Sequence, residues 1–200
     1  MTVVIAALAL PAYLLGTFPS AELVARRAGH DVSAEGSGNP GASNVFRILG
    51  WRAGLLVFAL DLGKGLLPAL AGLLLDGRGG AFALGIAAVV GHVFPATRRF
   101  KGGRGVATAA GVMLVVYPLI ALCLAAVWLI VAYGFRKASV ASLLITVAFP
   151  VLVALRGYGW AEVAVTGVLA VLIVVRHASN LRRLARGEEG DLRPDPEEKT

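Results

Sequence analysis

An all-α, polytopic transmembrane bundle is the fold this sequence predicts, and three observations predict it. Of its 200 residues 58% are apolar and only 16% charged, too apolar a mixture for a soluble domain of this length. Its apolar runs approach the roughly 20 residues a helix needs to cross the hydrocarbon core of a bilayer. Its cations collect in alternate gaps between those runs, which is the signature of membrane topology. No cleavable signal peptide is recognisable, and the first apolar run reads as a retained span.

The elements follow in order. The first span is expected over residues 3–25. The second and third, 51–75 and 81–96, flank a short turn-rich stretch, 76–80. The fourth, 105–116, is short and closes at Tyr117 and Pro118, because proline starts a helix better than it continues one. The fifth (119–133), sixth (140–155) and seventh (160–175) complete the bundle. With seven spans, sixteen of the nineteen Lys and Arg residues follow odd-numbered spans, Arg193 and Lys199 among them. Only Arg78 and Arg156 follow even-numbered ones, and Lys64 lies inside a span. That bias places the N-terminus outside and the odd loops and C-terminus in the cytoplasm. Six spans, with 105–133 as one kinked helix, would divide the cations almost evenly. The formal charge of +7 therefore reflects topology, and no nucleic-acid partner is expected. Residues 1–200 read as a single integral-membrane domain whose acidic, proline-containing end, 190–200, is a flexible cytoplasmic tail. Cys123, the only cysteine, lies in an apolar run and offers neither an internal disulfide nor a metal site.

The chemically rich stretches all fall on the predicted cytoplasmic side. EGSGNPGASNVFR (35–47) has its glycines at G-x-G-x-x-G spacing. A dinucleotide fingerprint needs a strand before it, and a membrane helix stands there instead. The glycines still permit close approach by a ligand, and consecutive amides can form an anion nest. Ser37, Asn39, Ser43 and Asn44 add neutral donors; the plain alternative is a polar turn. FKGGRG (100–105) sets two cations around a Gly-Gly pair and leads into a helix, whose first amides favour an anion. Its plain alternative is an ordinary positive-inside loop. Asp61 and Lys64, three apart, share one face of the second span. Either they form a structural ion pair or Lys64 offers its charge to a substrate phosphate while Asp61 orients it. His177, Asn180 and Arg183 follow one another at helical spacing where the last span leaves the membrane. His30, His92 and His177 are too scattered for a zinc site, and no metal or other cofactor is expected. The His-x4-Asp pattern common among acyltransferases is absent, since Glu35, Thr97 and Arg182 stand five residues after the three histidines.

Together these stretches resemble one family over nearly the whole chain: the bacterial integral-membrane acyl-phosphate:glycerol-3-phosphate acyltransferases, the PlsY family. The resemblance rests on GSGNPGASN-V-x-R (36–47), D-x-x-KG (61–65), GH-x-FP (91–95), FKGGRGVAT (100–108), S-x-x-S (139–142) and RH-x-x-N-x-x-RL-x-x-G-x-E (176–189). Arg104 stands where the family usually has Lys, and Ser43 where it often has Thr.

The resemblance implies acyl transfer from acyl phosphate to the 1-position hydroxyl of sn-glycerol 3-phosphate, giving lysophosphatidic acid and phosphate. It implies residence in the bacterial cytoplasmic (inner) membrane, contact with membrane lipid and an upstream enzyme that supplies acyl phosphate. Ser37, Gly38, Asn39, Gly41, Arg47, Lys64, Lys101, Gly102, Gly103, Arg104 and Arg183 are the expected phosphate-binding residues. His177, Asn180, Ser142 and Asn44 are the expected catalytic set, with His177 orienting or deprotonating the hydroxyl. Asp61, His92, Ser139 and Glu189 are expected to be structural or orienting. The rival reading is a small-anion transporter, which should carry polar groups on both membrane sides.

Overall fold

The computed structural model describes residues 2–192, and every regular element among them is helical. Arg193, Lys199 and the tail from 193 to 200 lie outside the described residues. The chain divides into two compact units, one ending at Pro118 and one starting at Leu119.

In the first unit, α1 (Val3–Gly16) is capped by Thr2, whose hydroxyl accepts the Ile5 N–H. The sequence predicts one uninterrupted span here, but the helix stops and α2 (Ser20–Arg27) begins afresh. Pro19 has no N–H to continue the ladder and disfavours helical backbone at Phe18. The Thr17 hydroxyl closes the end by donating to the Leu14 carbonyl at 2.7 Å. The break leaves Ser20 at the head of α2.

A loop then leads to α3 (Ala42–Leu49) and α4 (Trp51–Val93). Inside α4, Asp76 (φ −146°, ψ 24°) and Gly77 (φ 62°, ψ −152°) leave helical geometry, within the stretch where a turn is predicted. The run folds back on itself there. A Cβ on Gly72 would strike the Gly80 carbonyl, and farther along the two arms Asp61 and His92 approach to 3.7 Å. The arms coincide with the second and third apolar runs of the sequence.

α5 (Val106–Val116) packs against both arms, and α1 against the second. These contacts run backbone to backbone. A Cβ on Gly65 would meet the Thr108 carbonyl, and one on Gly111 the Leu62 carbonyl. One on Gly16 would meet the Ala88 carbonyl, and one on Gly91 the Tyr13 carbonyl. Helix association in lipid has little hydrophobic drive, so close van der Waals contact between small residues carries it.

The second unit holds α6 (Pro118–Phe135), α7 (Ala138–Leu155), α8 (Trp160–Arg176) and α9 (Ala178–Ala185). α7 and α8 pack together, and α8 and α9 meet at a 55° bend at His177. Leu122, Leu129 and Ile130 on α6, and Val168, Val171 and Val175 on α8, are exposed, as suits surfaces that face lipid.

Among the described residues, four helical runs are long and apolar enough to cross a membrane: Val3–Arg27, Trp51–Arg98, Pro118–Phe135 and Ala138–Leu155. The bent pair α8 and α9 makes a fifth if it counts as one span.

The glycine contacts yield a paired test. Gly65→Ala drives a methyl into backbone and should destabilise the protein by about 1–3 kcal/mol. Gly63 has nothing within 4 Å of its would-be Cβ. Gly63→Ala should therefore be neutral, or stabilising by up to about 1 kcal/mol. Thermal unfolding of both variants in one detergent decides; equal shifts would contradict the packing.

Candidate active site

In the first unit the glycine-rich loop before α3 is held from within. Gly36 (φ 61°) and Gly38 (φ 67°) take left-handed backbone that other residues resist. Asn44, fully buried on α3, reaches back into the loop. Its Oδ1 accepts the Ser37 N–H at 2.7 Å, and its Nδ2 donates to the carbonyls of Val32 (3.1 Å) and Glu35 (3.0 Å). Asn44 thus has both ends of its amide engaged by the loop. Ser37, Asn39 and Gly41 are partly exposed and Gly38 fully so. Arg47 sits half-buried in the last turn of α3. No side chain caps α3; its Asn44 N–H bonds the Gly41 carbonyl at 3.1 Å, and the Ala42 and Ser43 amides stand at the helix start beside the loop.

At the loop's entrance His30 Nδ1 pairs with Glu35 Oε2 at 2.7 Å, and Glu35 Oε1 accepts the Asp31 N–H. The His30 hydrogen bond leads in holding the Glu35 carboxyl below its ordinary value.

Asp61 and Lys64 form a buried cluster with a residue the sequence does not single out. Lys64 Nζ donates to Asp61 Oδ1 at 2.7 Å and to Ser20 Oγ at 2.9 Å. Ser20 Oγ in turn donates to the same Asp61 oxygen at 2.5 Å. His92 Nδ1 faces that oxygen at 3.7 Å. All four side chains are buried.

The second glycine-rich loop follows α4. Arg98 pairs with Glu22 and donates to the Thr17 carbonyl. The Tyr13 hydroxyl accepts the Ala96 N–H and donates to the Phe94 carbonyl, each at 2.9 Å. Arg99 (φ 52°) and Phe100 (φ 62°) are left-handed, an unfavourable state that these anchors flank. Beyond them Lys101 is exposed, Gly102 and Gly103 are buried and Arg104 is half-buried. α5 then starts at Gly105 (φ 88°) with no side-chain cap.

In the second unit Asn180, Arg183 and Lys137 gather around one glutamate. Buried Glu189 accepts Asn180 Nδ2 at 2.6 Å through Oε1 and Arg183 Nε at 2.7 Å through Oε2. Lys137 donates to its carbonyl. Burial pushes the Glu189 carboxyl up, but Asn180, Ser139 and Arg183 together outweigh it and hold the group below its ordinary value. Asn180 Oδ1 is buried without a hydrogen-bond partner among the described residues. His177 is buried, and its Nδ1 lies 2.8 Å from the Ile173 carbonyl. A carbonyl only accepts, so Nδ1 carries the proton and a neutral ring keeps its lone pair on Nε2. Ser142 accepts Trp128 Nε1 at 3.0 Å, and Ser139 is buried one turn earlier. Asp191, in the predicted tail, pairs with Arg136 at 3.1 Å and Lys137 at 2.6 Å.

The family profile described as Glycerol-3-phosphate acyltransferase matches residues 6–187. The chain belongs to this family. It is 46% identical over 184 residues to a glycerol-3-phosphate acyltransferase of Pseudomonas aeruginosa, spanning 91% of this chain and 96% of that one. It is 41% identical over 181 residues to one from Aquifex aeolicus, spanning 89% and 94%. It is also similar to two crystal structures of PlsY (YgiH), an integral membrane glycerol 3-phosphate acyltransferase. The glycerol 3-phosphate form matches with a TM-score of 0.89 and the lysophosphatidic acid form with 0.87. Each is 39% identical and covers 94% of this chain and 95% of its own. The chain is a multi-pass membrane protein of the glycerol-3-phosphate acyltransferase family, and that membership favours the transferase over the transporter reading.

Five residues of this family member's polar architecture escape the sequence reading: Ser20, Tyr13, Glu22 with its partner Arg98, and Trp128. Ser20 alone had a usable signal, since a serine straight after proline in an apolar span marks a helix restart. The others are paired with residues distant in sequence, and no spacing rule reaches them.

Glu189 gives a pH prediction. Its folded-state value is lowered, so its contribution is present above the ordinary value of 4.5 and is lost as pH falls through the folded value. Glu189→Gln should cost about 1–3 kcal/mol at neutral pH, in line with losing hydrogen bonds to a charged group. It should also flatten the acid limb of the stability profile. Thermal melts from pH 7 to pH 3 measure both, and parallel profiles would remove Glu189 from the account.

Proposed function

We propose that this chain transfers a fatty acyl group from acyl phosphate to the 1-position hydroxyl of sn-glycerol 3-phosphate, releasing lysophosphatidic acid and inorganic phosphate. The observation that carries the proposal is family membership over residues 6–187, which takes in both glycine-rich loops, the Ser20–Asp61–Lys64 cluster and His177, Asn180 and Arg183. The topology proposed is seven spans, N-terminus outside and C-terminus inside, in the bacterial inner membrane. α1 with α2 supplies one span, the arms of α4 two, and α5, α6, α7 and α8 one each. Residues 1–200 act as one acyltransferase domain, with 190–200 its cytoplasmic tail. An upstream enzyme delivers the acyl phosphate.

Acyl phosphate is already activated, so no covalent enzyme intermediate is needed. The glycerol hydroxyl attacks the acyl carbonyl directly and phosphate leaves. The protein's work is to hold two phosphates, aim the hydroxyl and stabilise the developing oxyanion. The Asn39 amide and the side chains of Ser37 and Asn39 donate to phosphate oxygens, while Gly38, Gly41, Gly102 and Gly103 leave room for the phosphates to come close. Arg47, Lys101, Arg104 and Arg183 neutralise their charge. Arg104 supplies a planar fork where Lys would give a point charge. Lys64 contributes from within its ion pair with Asp61. Asn44 acts through the loop it pins. Asn180 and Ser142 position the hydroxyl or oxyanion, and Ser139 and Glu189 support them. His177 Nε2 orients the nucleophile or takes its proton.

The test is donor-dependent turnover. Protein in lipid receives labelled glycerol 3-phosphate with either palmitoyl phosphate or palmitoyl-CoA. Lysophosphatidic acid from the phosphate donor alone is expected. Product from the thioester, or vesicle uptake of label without product, would replace the proposal. His177→Ala should lower kcat by at least about 100-fold, the scale of acid–base assistance. Near-normal turnover in that variant would move the proton to a substrate phosphate.

A further inference from the structure

We infer that His92 is a positioning residue for Gly102 and Gly103, and that the buried triangle of Ser20, Asp61 and Lys64 sets its ring. The inference rests on the reading that loop 100–105 holds a substrate phosphate.

The loop's two central glycines are not there for unusual backbone. Neither has a positive φ, whereas Gly105 beside them does. They are needed for space, and His92 takes up much of that space. The Gly103 N–H donates to the His92 carbonyl at 3.2 Å. A Cβ on Gly102 would strike that same carbonyl, with Pro95 Cδ at 2.6 Å. A Cβ on Gly103 would strike the imidazole, with Cε1 at 2.9 Å and Cδ2 at 3.2 Å. The loop therefore rests on both the backbone and the ring of His92.

The other side of the ring faces the triangle. One oxygen, Asp61 Oδ1, accepts from Ser20 and from Lys64 and also confronts His92 Nδ1. Ser20 closes the figure by accepting from Lys64. Such a closed set of charge-assisted hydrogen bonds has one arrangement, so the charge facing His92 is fixed in place. The Ser20 hydroxyl connects to the loop through Asp61 and His92, a route distinct from the Glu22–Arg98 pair that also joins α2 to this segment. Loop position matters because a displacement of about 1 Å at a substrate-positioning group can cost roughly 100-fold in rate.

Four variants in nanodiscs test this, each read by amide hydrogen exchange at residues 102–104 and by steady-state kinetics. Ser20→Ala opens the triangle. His92→Phe keeps a ring beneath Gly103 but removes the nitrogen that faces Asp61. Gly103→Ala perturbs the loop directly. Gly72→Ala, in the hairpin contact with Gly80, controls for general loss of stability.

Ser20→Ala and His92→Phe should speed exchange at 102–104 by about tenfold, as local opening does. They should raise KM for one phosphate substrate by about tenfold with kcat within about threefold, the pattern of lost ground-state binding. Gly72→Ala should lower Tm and move neither readout. Unchanged exchange in Ser20→Ala and His92→Phe beside faster exchange in Gly103→Ala overturns the inference. So does a response to Gly72→Ala equal to that of Ser20→Ala. Faster exchange without any change in KM supports the positioning role and instead overturns phosphate binding by this loop.

Discussion

A charged lysine among apolar helices must bring its own solvent, and in the first unit Asp61 and Ser20 supply it. Removing an ammonium and a carboxylate from water costs several kcal/mol per ion, and only close geometry with further hydrogen bonds offsets that. Here Lys64 has two acceptors and Asp61 Oδ1 two donors, with the Phe18 ring 5.9 Å from the ammonium. Much of the unit's course follows. α1 must end so that α2 can start at Ser20. α4 must fold back so that His92 returns to Asp61. The ion pair therefore ties together elements whose sequences share no periodic pattern.

Those bonds also limit how far apart the helices can stand. Serine and aspartate are short and cannot bridge helices held apart by leucines. The backbone contacts at Gly16, Gly65, Gly91 and Gly111 bring helix axes close enough for short polar side chains to meet. Packing and polar pairing are mutually dependent here. Without the glycines the triangle could not close, and without the triangle the close-packed interior would hold an uncompensated charge. The loops inherit this rigidity, because α4 and α5 begin or end at them.

Much of the fold was legible because apolar content and punctuation residues speak directly. The hairpin turn in α4, the α5–α6 break at Tyr117 and the starts of α7 and α8 lie at or within a few residues of their expected places. What hydropathy could not register was the interruption at residues 17–19, since the window remains apolar across it. α3 likewise leaves no hydropathy signal, as eight residues beside a glycine-rich loop look like more loop. The candidate site was legible as a set of residues but not as a set of pairings. Asn44 and Lys64 read as ligand-facing groups because they are polar in suggestive stretches. In the structure the first is engaged by its own loop and the second by Asp61 and Ser20. Composition reveals which groups can hydrogen-bond, while only the fold reveals which are already satisfied.

That distinction bears on the chemistry. In each cluster a side chain is held internally so that other groups keep a fixed orientation. Asn44 holds the first loop and leaves the α3 amides uncapped. Glu189 takes Asn180 Nδ2, and an amide that donates on one side must offer its acceptor on the other. The Ile173 carbonyl takes His177 Nδ1–H, which directs the imidazole lone pair to Nε2. The acyl phosphate donor proposed for this chain asks for this kind of protein. When the leaving group is already good, the remaining barrier lies in bringing the two reactants together and aligning them, and fixed dipoles lower it without reorganising during the reaction. In the proposed reaction, internal hydrogen bonds that look merely structural then contribute to the rate.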